Sequence, residues 1–170
     1  MISAQLVVDA FFTALARTEE GVHSKAVLLP SFPRSLQLDG YSCGAKSTYT
    51  VLRYFGIPCT ASSVEQWLGT TADGTSPSNI MRVFCQHGLK AVVHTRMNLQ
   101  DLKSAINAGS PVLVSLYSGE HYSVVYGYSS TNVFVMNPSL GSMGSLRCAV
   151  RLAEWRRMFD GWGIIIKQPQ

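Results

Sequence analysis

Helical patterns dominate the stretch from Cys43 to Gly109 and strand patterns the stretch from Pro111 to Met136, a segregation that points to an α+β layout. A loop, Gln37-Leu-Asp-Gly-Tyr-Ser, runs into a helix opening at Cys43-Gly44-Ala45. That helix carries Val51, Leu52 and Phe55 on one face and stops at Gly56, with Pro58 just beyond. Ser62-x-x-Glu65 reads as a capping box for a short helix through Trp67-Leu68 to Gly69. Ser76-Pro77 opens another helix, with Ile80, Met81 and Phe84 on its apolar side up to Gly88. Asn98 caps a fourth, from Leu99 to Ala108, closed by Gly109. Lys90 to His94 reads as a short strand, Pro111 to Tyr117 as a strong one, and His121 to Tyr128 and Val133 to Met136 continue an antiparallel meander. A helix around Leu152 to Phe159 and an apolar strand from Gly163 to Lys167 close the chain.

Leu6, Val7, Ala10, Phe11 and Leu15 recur at helical spacing, so Ser3 to Leu15 is expected as an amphipathic helix, with an extended lead-in marked by Pro30 and Pro33. This segment lacks the basic start of a signal peptide and Asp9 interrupts its apolar run. No stretch approaches the roughly 18 apolar residues that span a bilayer. The expected organisation is residues 1–36 as helix and lead-in, and 37–170 as one globular domain. A chain of 170 residues buries roughly 70% of the surface its unfolded form exposes and needs no staples.

Charge and cysteine content narrow the function classes. The net charge of +4 comes partly from Arg147, Arg151, Arg156 and Arg157, which read as a solvated basic face; no Lys/Arg tract with interleaved aromatics supports nucleic-acid binding. Cys43, Cys59, Cys85 and Cys148 have neither zinc-site spacing nor the density of a disulfide scaffold, so reduced thiols in a cytoplasmic protein are expected. No metal or cofactor is called for, because Cys43 and His121 are not accompanied by further ligands at suitable spacing.

Cys43 is the candidate nucleophile. A thiol at a helix start sits beside unpaired N–H groups and the positive end of the dipole, which favour the thiolate. Among His23, His87, His94 and His121, only His121 opens a strand directly after a tight turn, where its ring can reach another element; the other three read as structural or exposed. Asn137, at the end of the next strand, can return beside that imidazole and orient it through one ring nitrogen. Gln37, six positions before Cys43, supplies an amide donor that with the Cys43 N–H can form an oxyanion hole. Each piece also has a structural reading, and Asn137-Pro138-Ser139 can simply be a turn.

Taken together, Gln37-x5-Cys43-Gly44-Ala45, His121-Tyr-Ser-Val-Val with Gly127, and Asn137-Pro138-Ser139-x-Gly141 resemble the bacteriocin-processing cysteine peptidases, peptidase family thirty-nine. Asp73-Gly-Thr-Ser76, Gly109 to Val114 and the Trp155 to Ile166 tail extend the resemblance over most of the chain from Gln37. It implies a papain-like fold and a thiol peptidase that cuts a leader peptide after a double glycine or similar small pair. It also implies a stand-alone domain, or one working beside a separate peptide exporter, since no membrane-spanning or ATP-binding region accompanies the motifs. Asn137 stands where that family usually has Asp, which removes a negative charge from behind the imidazole and implies modulated activity. Tyr41, Ser42, Trp67, Tyr117 and Tyr122 are candidate cleft walls, or equally core. Two alternatives remain: a papain-like acyltransferase or transpeptidase, and a peptide-binding module without catalysis.

Overall fold

The computed structural model describes residues 17–18, 26–139 and 147–169. The expected helix at Ser3 to Leu15, His23 and Gly141 lie outside these residues. In chain order the elements are β1 (Arg17–Thr18), β2 (Val27–Leu28), α1 (Cys43–Tyr54), α2 (Ala61–Leu68), α3 (Pro77–Gln86) and β3 (Lys90–His94). There follow α4 (Leu99–Asn107), β4 (Val112–Leu116), β5 (His121–Tyr128), β6 (Asn132–Met136), β7 (Arg147–Arg151), α5 (Leu152–Met158) and β8 (Phe159–Lys167).

The strands form one antiparallel sheet in the order β1-β7-β6-β5-β4-β8-β3, with β2 pairing β5 off that path. The meander is therefore β4 to β7, and β8 returns to lie between β4 and β3. The terminal strand is longer than its apolar run, because Phe159 already pairs with Leu116. β4 and β6 are buried along their whole length, as expected of central strands whose residues are apolar on both faces.

The first four of these helices, α1 to α4, stop where glycine permits a left-handed turn. Gly56, Gly69, Gly88 and Gly109 all have positive φ. One start differs from expectation: α2 is capped by Thr60, whose side chain accepts the Ser63 amide while Ser63 reaches back to the Thr60 N–H. Thr60 holds the extended conformation an N-cap requires, so Ser62 falls inside the first turn, and Glu65 pairs with Lys46 at 2.6 Å. In α3, Val83 joins Ile80 and Phe84 in the core, while Met81 is only half buried.

Buried Val51 and Leu52 of α1, Val124 of β5 and Phe134 of β6 belong to one core, to which Leu29 and Phe32 of the lead-in also contribute. Phe32 stacks on Tyr126 at 5.3 Å. β2 crosses β5 so closely that a Cβ on Gly127 would meet the Leu28 side chain and lie 2.8 Å from the Val27 carbonyl, which explains the glycine. Among the described residues no helix is long and apolar enough to cross a membrane.

Candidate active site

Cys43 is the first residue of α1. The preceding loop is organised by Asp39, whose Oδ1 accepts the amides of Tyr41 at 2.9 Å and Ser42 at 2.7 Å, while Ser42 Oγ donates to Oδ2. Partial burial opposes ionisation of Asp39, but these bonds outweigh it and hold the carboxyl below its ordinary value. The Ser42 N-cap makes no side-chain bond to the helix. The Cys43 and Gly44 amides instead face the Cys43 sulfur, joined by the amide of Tyr122 from β5.

Those three N–H groups favour the thiolate, as a helix start should, yet they do not prevail. Burial is the larger effect, with Cys43 only 7% exposed, and Asp39 adds repulsion, so the thiol is pushed above its ordinary pKa. The expected depression of the thiol is thus reversed, because desolvation depends on the surrounding fold and not on the local helix start.

The structure joins the other candidates to one another, and Tyr122, next to His121 in β5, ties that strand to the thiol. His121 directly precedes Tyr122, whose amide faces Cys43, and Ser47 of α1 donates to the Tyr122 carbonyl. His121 Nε2 lies 2.8 Å from Asn137 Oδ1, and both side chains are fully buried. The Ser139 amide donates to the same Oδ1 at 3.0 Å. An amide N–H can only donate, so that atom is an acceptor and His121 Nε2 must carry the ring proton, leaving the lone pair on Nδ1. Burial drives the His121 pKa down to about 4, partly countered by the Asn137 bond, so the imidazole is neutral at ordinary pH.

Gln37 is nearly buried. Its Nε2 donates to the Asp39 carbonyl at 2.7 Å, its Oε1 accepts from Ser139 Oγ at 2.8 Å and its backbone amide donates to Pro138. His87 packs against Trp67 at 4.5 Å and His94 ends β3 opposite Gly163, so neither belongs to this cluster.

A cavity of about 330 Å³ opens on Cys43 between Tyr41, Asp73, Thr75, Glu120 and Tyr122. Of the expected wall residues Tyr41 and Tyr122 line it; Ser42, bound to Asp39, does not, and neither do Trp67 and Tyr117. Burial first, and the neighbouring Cys43 second, raise the Tyr122 phenol to about 12. Gly44 packs closely against two of these walls, since a Cβ there would come within 3.0 Å of Thr75 and 3.1 Å of Tyr122. The sequence does not single out Asp39, Thr75 or Ser139 as site residues, although all three fall inside the stretches named above. A larger cavity, about 1030 Å³, lies beside Tyr54, Phe55, Lys90 and Lys167, and no cysteine or histidine lines it. Among the described residues no group of three or more His, Cys, Asp or Glu side chains is placed to hold a metal ion.

Helices leading into an antiparallel sheet, with a thiol at the first helix start and a histidine–asparagine pair on the sheet, define a papain-like fold. Solved structures share it, three of which follow. A double glycine motif protease from an AMS/PCAT transporter, in complex with its leader peptide, superposes with TM-score 0.69 at 21% identity, covering 87% of this chain and 96% of that one. The peptidase domain of Streptococcus ComA, a bifunctional ABC transporter of a quorum-sensing pathway, matches at TM-score 0.68 and 15% identity, over 81% and 99% of the two chains. A C39-like peptidase from Bacillus anthracis matches at TM-score 0.65 and 17% identity, over 86% and 100%. A protein of Methanothermobacter thermautotrophicus is 29% identical over 134 residues, 79% of this chain and 87% of its own length. The model of the peptidase C39 family matches residues 31–168, and the chain belongs to that family.

Proposed function

We propose that this protein is a cysteine endopeptidase in which Cys43 attacks a peptide carbonyl, with His121 as general base and acid, Asn137 as orienting group and Gln37 as oxyanion donor. The observation that carries this reading is the bond from His121 Nε2 to Asn137 Oδ1. The Ser139 amide fixes its direction, so Nδ1 is the nitrogen that holds a lone pair.

The thiol and imidazole rest as a neutral pair. As the sulfur attacks, its proton passes to His121 Nδ1, and the imidazolium is held by the Asn137 oxygen. The tetrahedral oxyanion takes the Gln37 amide and the Cys43 N–H as donors, the kind of preorganised pair that contributes most where water is excluded. His121 returns the proton to the leaving amine, and water, deprotonated by the same nitrogen, releases the acyl group from Cys43.

Thr75 and Tyr122 wall the cavity at Cys43 and pack tightly on Gly44, which leaves these walls little room to give and favours small side chains on the acyl side of the cut. The transporter protease solved with its leader peptide makes a double-glycine leader the first substrate to test, and a separate peptide exporter the partner that would supply it. Rapid quenching followed by intact-mass measurement tests the mechanism. An acyl adduct on wild-type protein, absent in Cys43→Ala, supports it. Peptide retained without cleavage or adduct would instead indicate a binding module, and transfer to an added amine in preference to water an acyltransferase.

A further inference from the structure

Ser139 touches both halves of the proposed machinery. Asn137-Pro138-Ser139 forms a turn in which the Ser139 amide folds back onto the Asn137 side chain at 3.0 Å, a geometry common to asparagine at turn starts. The same residue's hydroxyl reaches Gln37, 102 positions earlier in the chain, at 2.8 Å. The Gln37 backbone amide bonds the Pro138 carbonyl at 2.9 Å, so the two segments are clamped at two points. Ser139 is 3% exposed and Gln37 is 7% exposed.

The direction of each bond follows from its partner. The Asp39 carbonyl can only accept, so the atom of Gln37 facing it is Nε2, and the atom facing Ser139 is Oε1. Ser139 Oγ therefore donates. Together these contacts hold the plane of the Gln37 carboxamide at both ends and commit one of its two amide hydrogens to Asp39, leaving the second for an oxyanion. Without the hydroxyl, Oε1 loses its donor and the carboxamide is held at one end only.

We infer that Ser139 is a positioning residue that sets the Gln37 amide for the oxyanion through its hydroxyl while its backbone amide fixes Asn137, so that one turn aligns both the base and the oxyanion donor. This rests on the peptidase reading above. A transition-state donor that is present but loosely held gives up part of its effect, so the serine should influence kcat and leave substrate binding largely alone.

The test is a double-mutant cycle on the full chain, using a fluorogenic peptide ending in Gly-Gly-aminomethylcoumarin. Ser139→Ala is expected to lower kcat about tenfold with KM nearly unchanged, a loss of the size of one hydrogen bond. In the Gln37→Ala background the same substitution is expected to change nothing further. The pH profile of Cys43 alkylation by iodoacetamide, which needs no oxyanion donor, should match wild type. An equal kcat loss in both backgrounds, a kcat within twofold of wild type, or a displaced alkylation profile would each overturn the inference. If Ser139→Ala does not fold, Ser139→Thr, which keeps the hydroxyl, takes its place: kcat near wild type supports the inference, and a loss matching Gln37→Ala overturns it. Failure of the peptidase reading is separately visible, since wild-type protein would then release no more coumarin than Cys43→Ala, and the inference would fall with it.

Discussion

The His121 imidazole and the Asn137 carboxamide meet at 2.8 Å with both side chains fully withdrawn from solvent. The carboxamide is neutral, and its Nδ2 finds no hydrogen-bond partner among the described residues. The imidazole thus has an oriented acceptor behind it but no negative charge, and burial lowers its pKa to about 4.

Asn137→Asp retains an oxygen for His121 and for the Ser139 amide while adding a charge that stabilises the imidazolium. The acid limb of kcat/KM, expected near pH 4 in wild type because His121 must be neutral to accept the thiol proton, should move toward neutral pH. A pH–rate series on the two proteins reads this directly, and an unmoved acid limb would count against His121 as the base.

His121 also links pH to stability. Its folded pKa lies below the unfolded value of about 6.5, so the unfolded chain takes up the proton first. The stability it contributes is complete above pH 6.5 and is lost as pH falls toward 4, by about 3 kcal/mol in all if this group acts alone. Urea denaturation of wild type and His121→Gln at pH 7 and pH 4.5 should show a larger acid loss in wild type.

Removing the oxyanion donor should leave binding intact. Gln37→Ala is expected to lower kcat about 100-fold or more with little change in KM. Equal kcat values for the two proteins in steady-state assays would exclude Gln37 from the transition state.

Gly44→Ala places a methyl within 3.0 Å of Thr75 and 3.1 Å of Tyr122. Overpacking of this kind costs about 1–3 kcal/mol, and the displaced walls should also raise KM for a Gly-Gly peptide. Thermal denaturation and steady-state kinetics on the same preparation separate the two effects.

Much of this architecture is written locally in the chain. Ser76 and Asn98 cap helices as their side-chain chemistry predicts, and Gly56, Gly69, Gly88 and Gly109 end them by accepting a backbone conformation costly to other residues. β7 left no comparable signal: Arg147-Cys-Ala-Val-Arg151 is short, charged at both ends and held by its pairing with β6. The place of β8 between β4 and β3 is likewise set by tertiary packing and not by any residue within it.

The candidate site divides in the same way. Cys43 before a helix and His121 after a turn are local features, and the strand return that carries Asn137 toward His121 follows from hairpin geometry. The link from Ser139 to Gln37 spans 102 residues and could not be read from either segment. Nor could the raised thiol pKa, since burial of Cys43 is imposed by elements distant in sequence.

The central claim is that Cys43 acts through His121 on a peptide bond. Mass spectrometry of a double-glycine peptide incubated with wild type, Cys43→Ala and His121→Ala tests it most directly. The account predicts cleavage after the second glycine by wild type, none by Cys43→Ala, and a rate lowered by at least about 100-fold in His121→Ala. Cleavage by Cys43→Ala at the wild-type rate, or an intact peptide after incubation with wild type, would contradict it.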